Sequence, residues 1–515
     1  MKAVLIILAW LALVALIIPS GAFPLFDDWV YSWAAKHLAA NGQLALPELS
    51  AAYPVFQIFW GAVFLALPLG PDLALRVSTL ALAGAGAWAW YALLRRCGRG
   101  EGVSLLIVAA GLSNPVYVVL APTFMTDVAF VALCQLALLA MFMMFTGQRG
   151  AQWPWLLVCT ALVLAAGLTR QPGIALGLGL AAAAFGSKRT GPALAALAAV
   201  VLVLGGQRLF TGQIGGALPL TERFADLAQT LSVSPLFYLD GLTTVLAYMG
   251  LSAAPLAFIR GRPDVRLWTL AALWLALAWF AWGPPVLRSG TVWGVCELGG
   301  ARSLLSGAPP VCGWETPVRI MALLLASAGL AALGSRLPGL VRRVGSALRA
   351  REPFITAAAL ALLTMAVGLL ALWMFADRYW LLFGLLAPAL VVGRGQDRPT
   401  RSGMAAACLL IAVYLGTGLV GAKGSFDFFR SAHAAATELA ASDPRGAAVV
   451  DAGYAVNAEL RYLVMPPAAG GQGRNASVAW VSAVAVSPLT VANRVEPGWR
   501  LLRPLRGGLV VVERP

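Results

Sequence analysis

The chain has 515 residues, of which 60% are hydrophobic and only 11% are charged, and its mean hydropathy is +0.81. Soluble globular proteins carry about 25% charged residues, so this composition excludes an ordinary soluble enzyme. The net charge is +15 at pH 7, but the basic residues lie between apolar segments, where they indicate membrane orientation and not nucleic-acid binding. With two histidines and no CxxC pair, a histidine–cysteine metal site is excluded, so any metal needs carboxylate ligands.

Apolar stretches long enough to cross about 30 Å of hydrocarbon recur along most of the chain. They predict an all-α polytopic membrane protein with about 13 transmembrane helices, at 3–20, 74–94, 103–120, 124–145, 153–168, 171–186, 191–210, 235–258, 267–283, 317–334, 354–375, 379–393 and 403–421. The first is predicted to be a retained helix, because Pro19-Ser20-Gly21-Ala22 is a poor signal-peptidase site.

One further apolar segment, Tyr53 to Leu69, decides the orientation of everything that follows it. If it does not cross, 18 basic residues lie in cytoplasmic loops and 9 lie outside, as the positive-inside rule requires. We therefore predict that it lies along the membrane surface or re-enters. Before the C-terminal tail, 11 acidic residues are then outside and 4 inside, which suggests that the chemistry takes place at the outer face.

The sequence changes character after residue 421. Residues 424–515 alternate short β-type runs at 447–450 and 509–512 with a helical stretch near 455–463, and glycine and proline separate them. This pattern predicts a small α/β domain, which 13 crossings from a cytoplasmic N terminus place on the outer face of the membrane. The predicted division is a transmembrane domain at 1–421, with an outer loop at about 22–73, and the small outer domain at 424–515.

An acidic pair follows the first predicted span directly. Asp27 and Asp28 stand where the chain leaves the membrane, and Tyr31 and Lys36 follow in a helix-compatible stretch rich in aromatic residues. A carboxylate at the membrane edge is well placed to act as a general base on a hydroxyl acceptor whose partner is a lipid. The alternative is an interfacial aromatic belt with a capping carboxylate, which requires only one of the two aspartates.

Further charged residues stand at the predicted outer ends of later spans. Asp127 opens the fourth span, and the triplet Asp377-Arg378-Tyr379 lies between two spans. Arg378 is a candidate phosphate clamp, and so is Arg170 at the end of the fifth span. The alternatives are a helix cap for Asp127, a loop salt bridge for the triplet and snorkelling to lipid headgroups for Arg170.

Two cysteines, Cys296 and Cys312, lie in the predicted outer loop of residues 284–316. The other four cysteines lie in or beside spans or on the cytoplasmic side. Because oxidising compartments favour pairing, we predict a disulfide between these two. Two unpaired loop cysteines are the alternative.

Five short motifs, taken together, resemble the GT-C superfamily of membrane glycosyltransferases. They are the acidic pair at 27–28, Tyr53-Pro54 before the amphipathic segment, MTD at 125–127, TRQPG at 169–173 and DRY at 377–379. The branch they resemble most is that of the polyprenyl-phosphate-sugar transferases, which includes protein O-mannosyltransferases and the lipid A aminoarabinose transferase. The resemblance covers the chain to about residue 421 and matches the tail only as a periplasmic domain.

The resemblance implies roles for the matching residues. In this superfamily the first acidic residue of the first-loop pair is the catalytic base, which corresponds to Asp27, and Asp28 replaces the more usual glutamate. The second-loop carboxylate corresponds to Asp127. Asp28 and Asp127 either orient the acceptor or hold a divalent cation through oxygen ligands, and the sequence does not choose between these roles.

One departure from the family pattern concerns the donor phosphate. The Lys-Pro-Pro often found in the first loop is replaced by Ala52-Tyr53-Pro54, so its lysine is missing. The phosphate contact is then expected from Lys36, Arg170 or Arg378. The full set of predicted substrate and phosphate contacts is Tyr31, Lys36, Tyr53, Arg170, Asp377, Arg378 and Tyr379.

The resemblance implies an inverting transferase that moves a sugar from a polyprenyl-phosphate donor to the hydroxyl of a lipid, glycan or protein acceptor. The reaction is expected at the outer face of a bacterial inner membrane, with Asp27 as the base. A multi-span transporter or a polysaccharide-export component is the alternative. A transporter predicts ionisable residues at mid-span depth, whereas those in this sequence cluster at one membrane edge.

Overall fold

The computed structural model describes residues 1–19, 21–25, 27–47, 53–147, 152–213, 235–259, 264–282, 315–370, 377–392, 399–442, 450–451, 459, 499–502 and 510–513. Most of these residues are helical. Seven described helical segments are long and apolar enough to cross a membrane: Pro71–Arg96, Thr126–Thr146, Gln152–Thr169, Thr190–Arg208, Ile320–Arg349, Pro353–Leu370 and Arg401–Gly424. The predicted helical membrane body is confirmed, and the count of 13 crossings stays a prediction.

Each predicted span coincides with one or two helices. The first half of the chain forms α1 (Lys2–Ala15), α2 (Asp28–Asn41), α3 (Val55–Phe64), α4 (Pro71–Arg96), α5 (Glu101–Leu112), α6 (Pro115–Leu120), α7 (Thr126–Thr146), α8 (Gln152–Thr169), α9 (Ile174–Gly186) and α10 (Thr190–Gln213). The second half forms α11 (Pro235–Ala257), α12 (Val265–Trp282), α13 (Glu315–Arg349), α14 (Pro353–Leu370), α15 (Leu381–Val391) and α16 (Arg401–Ser442). Short 3-10 turns at Gln171–Gly173 and Asp377–Trp380 precede α9 and α15.

The predicted span at 103–120 is interrupted at Asn114. Pro115 cannot continue α5, because proline lacks the amide hydrogen that the helix requires. The side chain of Asn114 instead caps α6 by accepting a hydrogen bond from the backbone amide of Val116 at 3.0 Å. Its amide nitrogen also donates to Ser252 Oγ on α11 at 3.0 Å. This break turns the chain within the helical body and leads it toward residues 121–125.

The segment Tyr53 to Leu69 forms only the 10-residue helix α3. At about 1.5 Å per residue, such a helix is half as long as the hydrocarbon thickness. It packs against α2 and α4, with Gln57 and Ile58 buried, while 50% of Phe59 and 66% of Val63 are exposed. The helix is thus amphipathic and too short to cross by itself, as the charge distribution requires.

The core of the helical body is α7, which is buried along nearly its whole length. It packs between α4 and α8, and α8 in turn packs against α10. A second group of helices is held by close backbone contact between α11 and α13, where a side chain at Gly329 would overlap the carbonyl of Gly250. Small residues allow such approach where lipid supplies no hydrophobic driving force.

The last helix continues beyond the predicted domain boundary. Helix α16 runs without a break from Arg401 to Ser442, past residues 421–424. Strand β1 (Val450–Asp451) then pairs in parallel with β2 (Trp499–Leu502), which pairs antiparallel with β3 (Val510–Glu513). Strand β3 overlaps the predicted run at 509–512 and β1 overlaps the run at 447–450 by one residue, whereas the sequence predicted no strand at 499–502. The periplasmic α/β domain stays a prediction. Its predicted helix near 455–463 lies outside the described residues, except for residue 459. The predicted disulfide Cys296–Cys312 also lies outside them.

Candidate active site

Four separate stretches of the chain bring ionisable side chains together at one end of the helical body. They are the start of α2, the start of α7, the turn after α8 and the turn before α15. Each stretch begins or ends a helix, so its side chains project from the end of a rigid element. We call the set Asp27, Arg378, Tyr379, Arg170 and Asp127 the charged cluster.

Asp27 pairs with Arg378. Asp27 occupies the N-cap position of α2, but its side chain makes no capping hydrogen bond. Its Oδ2 instead accepts a hydrogen bond from Arg378 Nη2 at 3.0 Å, across 351 positions of sequence. The side chains are 20% and 13% exposed, respectively. A partly accessible carboxylate held by a remote guanidinium group is not explained by helix capping.

Asp127 pairs with Arg170 in a more enclosed position. Its side chain is 1% exposed, and that of Arg170 is 18% exposed. Oδ1 of Asp127 accepts a hydrogen bond from Arg170 Nη1. Within the described part of the chain, its Oδ2 is buried and has no hydrogen-bond partner. An unsatisfied buried oxygen is costly, and this atom retains the capacity to accept one further hydrogen bond.

The ring of Tyr379 joins the two ion pairs. The guanidinium carbon of Arg170 lies 4.8 Å from the ring centroid, and that of Arg378 lies 5.6 Å from it. Both distances lie within the range of cation–π interaction. One aromatic ring therefore holds two guanidinium groups that come from distant parts of the sequence and pair with different carboxylates.

Tyr31 lies on α2 about one turn after Asp27 and is 3% exposed. Burial raises the pKa of its hydroxyl, and the negative charge of Asp27 raises it further, while Arg378 and Arg170 oppose these effects. The hydroxyl is therefore protonated at neutral pH and is able to donate a hydrogen bond. The charges of the cluster act on this hydroxyl, and its predicted contact with the substrate stays a prediction.

Asp28 makes different contacts from its neighbour Asp27. Its Oδ1 accepts a hydrogen bond from the backbone amide of Leu25 at 2.7 Å, and the backbone amide of Phe124 also bonds its carboxylate. Burial raises the pKa of Asp28 to about 7, although the charge of Arg76 and the two amides oppose the rise. These contacts favour a role in anchoring the loop, and the predicted catalytic role of Asp28 stays untested.

Arg76 is the buried cation nearest to Asp28. It lies on α4, is 4% exposed and interacts electrostatically with the Asp28 carboxylate. Its Nη1 donates hydrogen bonds to the carbonyls of Pro19 and Gly21, the latter at 3.2 Å. Arg76 thus fixes the end of the first span and the start of the outer loop. The sequence marked it only as one of the basic residues on the outer side.

Three other predicted contacts are Lys36, Tyr53 and Asp377. The ammonium group of Lys36 donates to Asp72 Oδ1 at 2.7 Å, which ties α2 to the start of α4. Tyr53 is buried immediately before α3. Asp377 begins the 3-10 turn that carries Arg378, but its side chain lies outside the described residues.

The predicted cation ligands do not fit a metal site. In the described stretches, no group of three or more histidine, cysteine, aspartate or glutamate side chains is arranged to hold a metal ion. Asp28 bonds two backbone amides, and Asp127 bonds a guanidinium group. In the described part of the chain only Oδ2 of Asp127 is left without a partner among these contacts, and one such oxygen is not a cation site.

No protein-family model matches this sequence, and no curated protein is significantly similar to it. Solved structures with a similar fold include two of one protein. They are the crystal structures of ArnT from Cupriavidus metallidurans bound to undecaprenyl phosphate (17% identity, TM-score 0.47) and in the apo state (19% identity, TM-score 0.42). In both comparisons the similarity covers 97% of this chain and 93% of ArnT.

Proposed function

We propose that the protein is a membrane glycosyltransferase that moves a sugar from a polyprenyl-phosphate donor to an acceptor hydroxyl. The observation that carries this proposal is the charged cluster, which gathers two carboxylates and two guanidinium groups around one ring. A carboxylate can take a proton from a hydroxyl, and a guanidinium fork matches the oxygens of a phosphate. A sugar donor with a phosphate on a membrane lipid would use the guanidinium groups for its phosphate and the carboxylate for the acceptor hydroxyl, at the end of the helical body.

Asp27 is the base in this proposal, because it is the more exposed of the two paired carboxylates. It takes the proton of the acceptor hydroxyl as that oxygen attacks the anomeric carbon of the sugar. The bond between this carbon and the phosphate oxygen breaks, and the polyprenyl phosphate leaves with the bonding electrons. A single displacement of this kind inverts the configuration at the anomeric carbon.

The ion pair between Asp27 and Arg378 suggests how donor binding and base activation are linked. A carboxylate that accepts a charge-assisted hydrogen bond is a weaker base than a free one. The donor phosphate is a diester with one negative charge, and its two unesterified oxygens match the fork of the same guanidinium group, for which it competes. We expect it to take Arg378 from Asp27, so that the base is released when the donor is bound.

Arg170, Asp127 and Tyr31 supply the remaining contacts in this proposal. Arg170 stabilises the negative charge that develops on the leaving phosphate, because a fixed guanidinium group in a poorly solvated site needs no reorganisation. The free Oδ2 of Asp127 accepts a hydrogen bond from a sugar or acceptor hydroxyl. The protonated hydroxyl of Tyr31 donates one.

The cluster is proposed to face the periplasm of a bacterial inner membrane, because the basic loops are at the other ends of the same helices. Arg95 and Arg96 end α4, whose first turn contacts the outer loop through Asp72.

Cysteine substitutions at Gly100 and Ser187 should be protected from an impermeant thiol reagent in intact cells. The exposed position Ala39 on α2 should react. Labelling of Gly100→Cys or Ser187→Cys from outside would contradict this topology.

A transporter is the alternative that the sequence left open. It predicts ionisable residues at mid-span depth. In the described part of the chain, the buried charged residues are Asp28, Arg76 and Asp127, and all three lie at the end that holds the cluster. This distribution favours chemistry at the membrane edge over a path through the membrane.

The proposal is tested by mass spectrometry of envelope glycans from a deletion strain. Deletion should remove one sugar modification, and the wild-type gene should restore it while Asp27→Asn does not. Asp72→Asn is the matched control, since Asp72 is an acidic residue of the same outer region that pairs with Lys36 outside the cluster. An unchanged glycan profile in the deletion strain, or full restoration by Asp27→Asn, would reject the proposed enzyme activity. Either result would favour the alternative that the protein is a polysaccharide-export component.

A further inference from the structure

Gln57 is a buried polar residue on the otherwise apolar helix α3. Its side chain is 1% exposed. Its amide nitrogen donates hydrogen bonds to the carbonyls of Phe124 and Met125, at 2.9 and 3.2 Å. A glutamine in an apolar segment is costly to bury unless it makes such bonds. These bonds join α3 to the residues immediately before α7.

The stretch around Phe124 is also held from two other sides. Its backbone amide bonds the carboxylate of Asp28 at the start of α2. Its ring fills the space beside Gly61, where a β-carbon would lie 2.5 Å from the end of the ring. Phe124 is therefore fixed through its carbonyl, its amide and its ring by α2 and α3 together.

This stretch sets the position of Asp127, which follows Met125 by two residues. Met125 occupies the N-cap position of α7, but its side chain makes no capping hydrogen bond. The start of α7 is held locally by Thr123, whose Oγ1 accepts a hydrogen bond from the Met125 amide at 3.2 Å, and from another element by the two bonds of Gln57. Asp28, next to Asp27 in the sequence, bonds the same stretch. The residues before Asp127 are therefore connected to the residue after Asp27, so the positions of these two cluster carboxylates are linked.

We propose that Gln57 is a positioning residue that holds Asp127 in register with Asp27 in the charged cluster. This inference rests on the proposed transfer reaction and extends it to a residue that touches no reacting atom. Displacement of a reacting group by about 1 Å can reduce a rate about a hundredfold. Loss of the two Gln57 bonds should therefore reduce transfer more than it reduces donor binding, which depends on the arginines.

The test compares Gln57→Met with Gln57→Lys. Methionine keeps the length and apolar fit but cannot donate, whereas lysine keeps donors that can reach the two carbonyls. Transfer is measured as the initial rate of glycan formation in membranes of the deletion strain. Lipid binding is measured with purified protein and undecaprenyl phosphate. We expect Gln57→Met to lower the transfer rate roughly tenfold to hundredfold with lipid affinity nearly unchanged, and Gln57→Lys to retain more activity.

Gln135→Met is the matched control, because Gln135 is a buried glutamine of α7 that lies away from its start. It should leave transfer and lipid affinity unchanged. A role in packing alone predicts the opposite order, with the apolar variant more active than the lysine variant. That order, unchanged transfer in Gln57→Met, or a parallel loss of lipid affinity would each overturn the inference. Failure of the wild-type protein to bind the lipid and to transfer a sugar would instead reject the proposed function and this inference with it.

Discussion

The two ends of the helical body contain the same types of charged residues but place them differently. At the end with the candidate site, two carboxylates and two guanidinium groups pair with one another, and their side chains are between 1% and 20% exposed. At the other end, Arg99 donates to the carbonyl of Ala389 at 2.7 Å. Lys2 lies 3.8 Å from Glu101 there, with 71% and 45% of these side chains exposed.

We interpret this difference as a separation between residues that set topology and residues that are proposed to do chemistry. Exposed ion pairs contribute about 0 to 1 kcal/mol and need no fixed geometry, which suits charges that orient a chain in the membrane. Buried pairs lose hydration that their mutual attraction often fails to restore, so they are weak evidence for stability. Their presence beside Tyr31, a group whose pKa is raised, is better explained by function.

The largest expected effect follows Asp27→Asn, which should change transfer and lipid binding in opposite directions. Loss of the base should lower the transfer rate by roughly 10²- to 10⁴-fold. Undecaprenyl phosphate should bind several-fold more tightly, since it no longer competes with a carboxylate for Arg378. Native mass spectrometry or microscale thermophoresis measures the affinity. An affinity equal to that of the wild type would reject the exchange between phosphate and Asp27 while leaving the base role intact.

The second prediction compares the two ends directly through Arg378→Gln and Arg99→Gln. Removal of a phosphate-binding guanidinium group should weaken undecaprenyl phosphate binding by about tenfold, since a charge-assisted bond contributes about 1.5 to 3 kcal/mol. Arg99 bonds helix carbonyls at the opposite end, so its change should leave lipid affinity unchanged. Equal losses in both variants would mean that the lipid phosphate is not bound by the charged cluster.

The third prediction concerns the ring that joins the two ion pairs. Tyr379→Leu removes the cation–π contacts with Arg170 and Arg378, each worth about 0.5 to 2 kcal/mol. Lipid affinity and transfer should each fall by roughly three- to tenfold. Tyr379→Phe keeps the ring and should lie close to the wild type. If the phenylalanine variant is as defective as the leucine variant, the hydroxyl and not the ring is responsible.

The smallest expected effect is on stability and comes from Asp28. Its pKa is about 7 in the folded protein and 3.8 in the reference state, so the folded state binds more protons between these values. Stability therefore falls as the pH rises from about 4 to 7. Asp28→Asn removes this contribution. The difference in melting temperature in detergent, variant minus wild type, should therefore be a few degrees larger at pH 7.5 than at pH 4.5. Asp427→Asn, at an exposed position of α16, controls for loss of charge. Parallel pH curves for Asp28→Asn and the wild type would contradict the prediction.

Sequence alone was sufficient for the helical body, because apolar stretches of this length have few other stable structures in a membrane. The basic residues predicted which helix ends share a face. Asp27, Arg170, Asp127, Arg378 and Tyr379 were all named from the sequence, since an ionisable group at the end of an apolar helix stands out from its surroundings.

Only the tertiary structure decided which residue each of these groups contacts. Asp27 and Asp28 are adjacent in the sequence, but successive positions of a helix point about 100° apart. One therefore reaches Arg378, 351 positions away, and the other reaches backbone amides of its own loop and of residue 124. Gln57 and Arg76 gave no clear sequence signal, because their importance lies in bonds to carbonyls of distant residues, and only packing brings these together.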